Sequence, residues 1–206
     1  MSTGEERYGW RSIEGVLETL YPGIKPQHFG TLMRWSEGGR DPLDGISVYP
    51  NDADQPHWHY ISFGLSELYA KESENIEISG WGIELTFRSR RGKEQEAPRW
   101  PLYLMQETAR YVIENSSPFG EYHYLDRSGP LLRDLPTTMR GVIFLRDPAL
   151  GKFETPNGSV LFLQMFGATK DELKAFMSDE YVVAFQTIKA KNEWFVTELV
   201  REGYID

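Results

Sequence analysis

Between residues 81 and 113 the spacing of the apolar residues changes period, and that change narrows the possible fold more than any other feature of the chain. In Trp81–Arg88, the apolar Trp81, Ile83, Leu85 and Phe87 alternate with Gly82, Glu84, Thr86 and Arg88. That is the period of a strand with one face on a core and the other in water. From Pro101, a residue suited to the first helical position, Met105, Thr108, Ala109, Val112 and Ile113 recur three and four apart. They mark an amphipathic helix running to about Asn115, with Pro118 beyond it. Sheet and helix must therefore pack together.

The flanking segments extend the pattern. Trp10, Ile13, Val16, Leu17 and Leu20 have helical spacing that stops at Tyr21-Pro22-Gly23. Short apolar stretches at His28–Trp35 and Ile46–Tyr49, separated by glycine and proline, read as strands, and His57–Phe63, dense in aromatic and β-branched residues, as a central strand. Phe119–Thr138 mixes aromatics with Gly, Pro and charges and reads as loop with one short strand. Met139–Leu145 and Ser159–Phe166 flank Pro148 and the turn Thr155-Pro156-Asn157-Gly158, a hairpin with an Asn-Gly tip. Thr169 and Glu172 have capping-box spacing ahead of a short helix. Ser178 is placed to cap another, with Asp179 and Glu180 in its first turn and Lys189 and Lys191 at its end. Trp194–Leu199 reads as a last strand. The expected class is α+β, a mixed or mainly antiparallel sheet flanked by helices, in a single domain over residues 1–206.

Composition sets limits on chemistry. With 22 basic against 31 acidic residues and a net charge of −9, the chain lacks the basic surface that phosphate backbones require, so nucleic acid is not an expected partner. It has no cysteine, which removes disulfides, thiolate nucleophiles and Cys-based metal sites. No run approaches the roughly 18 apolar residues of a membrane span, and the first ten residues have no apolar signal core, so a cytoplasmic protein without membrane partners is expected.

Candidate chemistry is sparse. His57 and His59 stand two apart on a predicted strand, on one face, as two ligands of one metal would. No HExxH or similar pattern supplies further ligands, and packing or hydrogen bonding of the two rings is the simpler reading. No GxSxG elbow or phosphate loop occurs, and Gly80-Trp81-Gly82 suits a bulge or a close neighbouring chain. Arg88, Arg90, Arg91 and Lys93, followed by Glu94 and Glu96, read as a solvated hairpin tip. Trp58, Tyr60, Phe63 and Tyr69 read as core material before a recognition groove. No cofactor is expected.

Five strings, DPLDGISVY (41–49), HWHYISFGLSELY (57–69), GIELTFR (82–88), WPLYLMQETARYV (100–112) and TPNGSVLFLQMFGAT (155–169), resemble the N-terminal domain of the Suppressor of fused family, in order along nearly the whole chain. The resemblance implies a protein-binding domain that catalyses no reaction. Eukaryotic members hold a transcription factor of the Hedgehog pathway, with its peptide lying as an added strand between this domain and a second one; the present chain is expected to end where the first domain would. A tyrosine of the ARYV segment lines that cleft, which implies a partner-binding role for Tyr111; an acidic residue that follows is matched by Glu121, the nearest acid, in the segment that carries Tyr122 and His123. Single-domain relatives resemble bacterial proteins proposed as immunity proteins, and an acidic domain suits a basic toxin as partner. Two alternatives are a peptide-binding adaptor with an exposed strand near Tyr111, and a metal-dependent hydrolase using His57 and His59.

Overall fold

The computed structural model describes residues 7–52 and 55–205. Along the chain run α1 (Tyr8–Leu20), β1 (Gln27–Gly30), one 3-10 turn (Trp35–Glu37), β2 (Gly45–Asn51), β3 (His57–Phe63), β4 (Ile78–Arg90) and α2 (Trp100–Asn115). There follow β5 (Tyr124–Asp126), β6 (Gly141–Arg146), β7 (Lys152–Thr155), β8 (Gly158–Ala168), α3 (Lys170–Phe176) and α4 (Tyr181–Lys191). The strands form one sheet in the order β1-β2-β3-β4-β8-β6-β5, with β7 also on β8. Among these strand pairs β4 with β8 is parallel and the rest are antiparallel. The α+β class with a mixed sheet is as the residue patterns predict.

Helices cover both faces. On one, the stripe Leu104, Met105, Ala109 and Val112 of α2 packs on Trp58, Tyr60, Leu85, Phe87, Phe144 and Met165. On the other, α1 sets Ile13 and Leu17 against Tyr49, Ile61, Phe63 and Phe162, while α3 and α4 set Leu173, Phe176 and Ile188 against Ile143, Leu145 and Phe166. Trp58, Tyr60 and Phe63 are therefore core, the first two on the α2 face and Phe63 on the α1 face, where Tyr69 packs partly buried beside it. Cutting a buried Leu such as Leu104 to Ala costs about 2–5 kcal/mol, because the transfer energy is lost and a void remains.

The second covered face changes the reading of β4. The polar positions of Trp81–Arg88 are not in water: Glu84 and Thr86 are fully buried and Arg88 is 1% exposed. A strand in mid-sheet, parallel to its neighbour and roofed on both sides, has no solvent face. The basic run is corrected with it. Arg88 belongs to the interior, Arg90 ends β4, and residues 91–94 lie in the connection to α2 rather than at a hairpin tip. There Arg90 pairs with Glu198, Arg91 pairs with Asp52 and lies over Trp58, and Glu94 accepts from the Gly92 N–H.

Other boundaries follow local hydrogen bonds. Gly80 (φ +56°) and Gly82 (φ +74°) sit where the β4–β8 register shifts between Ile78 and Ile83, and a Cβ on Gly80 would stand 2.8 Å from the Leu65 carbonyl oxygen. The predicted hairpin forms, with Leu145 opposite Gln164, but its first arm breaks at Asp147–Gly151 and resumes as β7 before the Pro156-Asn157 tip. The capping box of α3 is present in both directions. Ser178 instead closes the end of α3: its hydroxyl donates to the Ala175 carbonyl and accepts from the Glu180 N–H, and α4 starts only at Tyr181. His28–Trp35 is extended only as far as Gly30. Trp194–Leu199 is not a strand. Phe195 takes φ +50°, Asn192 holds both the N–H and the carbonyl of Val196, and Thr197 alone bridges to Ser89. Among the described residues no helix is long and apolar enough to cross a membrane.

Candidate functional site

The segment after α2 turns around one edge of the sheet and carries the residues singled out above. Tyr111, on the last turns of α2, is 44% exposed because the buried stripe of that helix runs through Thr108, Ala109 and Val112 on its opposite side. Its ring stacks on Phe119 at 5.4 Å, and Phe119 stacks on the buried Phe144 of β6 at 4.0 Å. Ser116, in the left-handed region at φ +50°, ends the helix and lets the chain reach that edge.

Tyr122 lies on the other face. With φ +67° it donates its N–H to the Phe144 carbonyl at 2.7 Å and sends its ring between Tyr181 and Phe185 of α4, at 5.5 and 5.3 Å. Glu121 accepts from Arg146 at 2.8 Å, and the exposed His123 ring accepts from the Gly120 N–H at 3.1 Å. Tyr111, Glu121, Tyr122 and His123 thus share one end of the sheet edge, but Tyr111 belongs to the α2 side and Tyr122 to the α4 side.

Between them runs β5, which closes the sheet with no strand beyond it among the described residues. It pairs Tyr124, Leu125 and Asp126 with Ile143, Val142 and Gly141, and the Arg127 N–H continues the ladder to the Arg140 carbonyl. Antiparallel alternation then turns the backbone groups of Tyr124 and Asp126 outward. Three residues is a short edge, which limits indiscriminate pairing while still presenting a template for an added strand.

His57 and His59 lie elsewhere, inside the face shared by α1, α3 and α4. The His59 Nδ1 is 2.7 Å from the Tyr21 hydroxyl and its Nε2 is 3.0 Å from Asp147. Asp147 also accepts from Arg88 through both oxygens, at 2.7 and 3.0 Å, from Thr86 at 2.8 Å, and from the N–H groups of Ala149 and Leu150. Gln164 accepts from Arg88 and donates to the carbonyls of Trp194 and Phe195. This polar seam separates the apolar cluster under α1 from that under α3 and α4. His57 Nδ1 is 2.6 Å from the Gln55 carbonyl, and its Nε2 is buried without a partner among the described residues.

Burial, and then the nearby Arg88 charge, push His59 down to about 4 and His57 to about 3, so both rings are neutral near pH 7. Burial pushes the Asp147 carboxyl up, but Arg88 and His59 outweigh it and hold it well below the usual carboxylate range. A second buried carboxylate, Glu84, accepts from the hydroxyls of Ser62 and Ser66 and the N–H groups of Gly64, Leu65 and Ser66. With both nitrogens of His59 engaged, the seam ties strands together; His57 keeps its Nε2 without a partner, and among the described residues no group of three or more His, Cys, Asp or Glu gathers around it as a metal would need. Strand spacing placed both rings on one face, but the partners of His59, Tyr21 and Asp147, are far off in the chain.

The strings HWHYISFGLSELY and GIELTFR supply His59, Ser62, Ser66, Glu84, Thr86 and Arg88, so the residues that make the sequence recognisable are largely those of this interior. The family model for Suppressor of fused protein (SUFU) matches residues 39–202. The chain belongs to the Suppressor of fused family. Suppressor of fused homologs of Homo sapiens and Mus musculus are each 34% identical over 209 residues, covering 94% of this chain and 43% of theirs. The chain thus spans less than half the length of these curated relatives. Among solved structures, a chain of the Sufu-Fu complex superposes with a TM-score of 0.90 at 29% identity, covering 97% of this chain and 93% of that one. Drosophila Suppressor of Fused superposes at 0.87 and 30% identity, covering 97% and 52%. A putative SUFU homolog from Neisseria gonorrhoeae, at 0.67 and 12% identity over 97% of both chains, shares the fold.

Proposed function

We propose that this chain works by binding another polypeptide along the β5 edge and makes or breaks no bond in doing so. The observation that carries the reading is the open edge at Tyr124–Asp126, set between the exposed ring of Tyr111 on one face and Tyr122 on the other. A partner segment added antiparallel or parallel to β5 would gain main-chain hydrogen bonds there, while side-chain contacts with Tyr111, Glu121, Tyr122 and His123 would set its identity. Family membership supports the reading, as does the similar chain that was crystallised in a Sufu-Fu complex.

More specifically, the partner proposed is a basic protein toxin, neutralised in the bacterial cytoplasm by direct binding. A net charge of −9 supports this, because complementary charge raises the encounter rate of two proteins. A regulatory adaptor would use the same edge with a different partner. Affinity capture from the source organism, followed by calorimetric titration of the purified partner, tests the proposal. A stoichiometric complex that abolishes the partner's toxicity is the expected result; turnover of a small compound, lost when a pocket side chain is replaced, would overturn it.

A further inference from the structure

The face of the sheet under α1 opens into a groove of about 960 Å³ on the side away from β5. Its walls are aromatic. Trp10 of α1 stacks on Phe63 at 4.5 Å, Tyr21 stacks on Tyr49 at 4.4 Å, and His28 of β1 meets Trp10 edge-on at 5.9 Å. Glu14 and Glu18, one turn apart on α1, line the same groove, and neither has an ion pair or hydrogen bond among the described residues.

Two like charges four residues apart repel and weaken the helix that carries them, so folding alone does not account for the pair. A second observation is independent of them. Tyr49 is 7% exposed and lines the groove, and its hydroxyl, with no hydrogen-bond partner among the described residues, reaches the solvent of the groove. Burial, with Glu14 and Glu18 nearby, pushes its pKa up, so it remains a neutral donor and acceptor. Burial likewise pushes His28 down, so the imidazole adds no competing positive charge near neutrality. The groove's other cations are Arg7, which precedes α1, and Lys25, which follows it. Arg7 lies over the Trp10 ring at 4.7 Å, an internal example of the contact these walls accept.

We propose that this groove is a second binding site, one that takes an arginine side chain of a partner polypeptide, its guanidinium held between the Glu14 and Glu18 carboxylates and the aromatic walls. Arginine fits better than lysine because a planar guanidinium stacks on aromatic rings and offers a fork of donors to carboxylates and to a phenol oxygen. β1, which borders the groove, is the edge strand opposite β5, so this site stands or fails separately from the one proposed above.

The test is a titration of the full, 15N-labelled chain with acetyl-Gly-Arg-Gly-amide and with its uncharged citrulline counterpart, read at the Trp10 indole N–H. The expected result is a saturable shift with the arginine peptide and at least tenfold weaker binding of the citrulline peptide. Glu14→Gln with Glu18→Gln is expected to weaken the arginine peptide at least tenfold while leaving the thermal midpoint unchanged or slightly raised, since the two carboxylates are exposed and mutually repulsive. No saturable shift at Trp10, equal affinity for the two peptides, or undiminished binding by the double variant would each overturn the proposal.

Discussion

Arg88 and Asp147, 59 residues apart in the chain, form a two-pronged ion pair at 2.7 and 3.0 Å in the interior of the sheet, each no more than 1% exposed. β4 brings the guanidinium, and the break between β6 and β7 brings the carboxylate. Removing one partner leaves a buried charge without its counterion. Arg88→Met or Asp147→Asn is therefore expected to destabilise by about 3–5 kcal/mol. The combined change Arg88→Met with Asp147→Leu should recover most of that loss, because an apolar pair needs no desolvation of charge. Urea midpoints of the three variants check this, and single replacements costing under about 1 kcal/mol would contradict it.

Stability should fall in mild acid. His57 and His59 stay neutral when folded, at about 3 and about 4, against an ordinary value of 6.5. Below pH 6.5 the unfolded chain takes up protons that the folded chain refuses, and each ring then removes about 1.4 kcal/mol of stability per pH unit. Asp147, held low in the folded state, adds to the loss once its unfolded counterpart begins to protonate, below about pH 4. Unfolding free energy measured against pH should be level above about 7 and drop from 6.5 towards 4. His57→Gln should take away about half of that slope, and a level profile down to pH 5 would count against buried neutral rings.

Tyr111→Ala should weaken partner binding at least tenfold while moving the thermal midpoint by no more than a degree or two. The ring is exposed and rests on Phe119 alone among the rings around it. Phe119→Ala, by contrast, removes a partly buried ring that stacks on Phe144, and should lower both stability and binding. Calorimetry with the captured partner, paired with thermal scans of each variant, separates the two effects.

The regular elements were legible in the sequence where period and chemistry agreed. α2 has both its apolar stripe and Pro101, α3 has its capping box, and the hairpin has its Pro156-Asn157-Gly158 punctuation, although Pro156 and Asn157 form the tip and Gly158 already pairs with Thr155. What the alternation in β4 does not reveal is what covers each face. A polar row meets water on a one-sided sheet and a polar seam on a two-sided one, and Glu84, Thr86 and Arg88 look alike in either case. Asp147, the hub of that seam, is an ordinary Asp-Pro step in sequence, and its partners at 59, 86 and 88 become visible only once the strands pair. Trp194–Leu199 looks extended by composition, but the Asn192 side chain, a local hydrogen-bonding device, bends it. At the candidate edge, Tyr111 was legible through family resemblance, whereas the turn of Tyr122 to the opposite face depends on Tyr181 and Phe185, some sixty residues later.

Capping should show its usual magnitude. Thr169→Ala removes the hydroxyl that accepts from the Glu172 N–H and is expected to cost about 1 kcal/mol. Glu172 also takes two bonds from Arg201, at 2.7 and 2.8 Å, so Glu172→Ala should cost more than Thr169→Ala, a ranking that denaturant midpoints can read.

Whether β5 receives a strand from the partner can be read from amide hydrogen exchange at Tyr124 and Asp126, in the chain alone and saturated with the captured protein. Their outward N–H groups should exchange rapidly in the free chain and at least tenfold more slowly in the complex. A stoichiometric complex that leaves both rates unchanged would contradict binding at this edge.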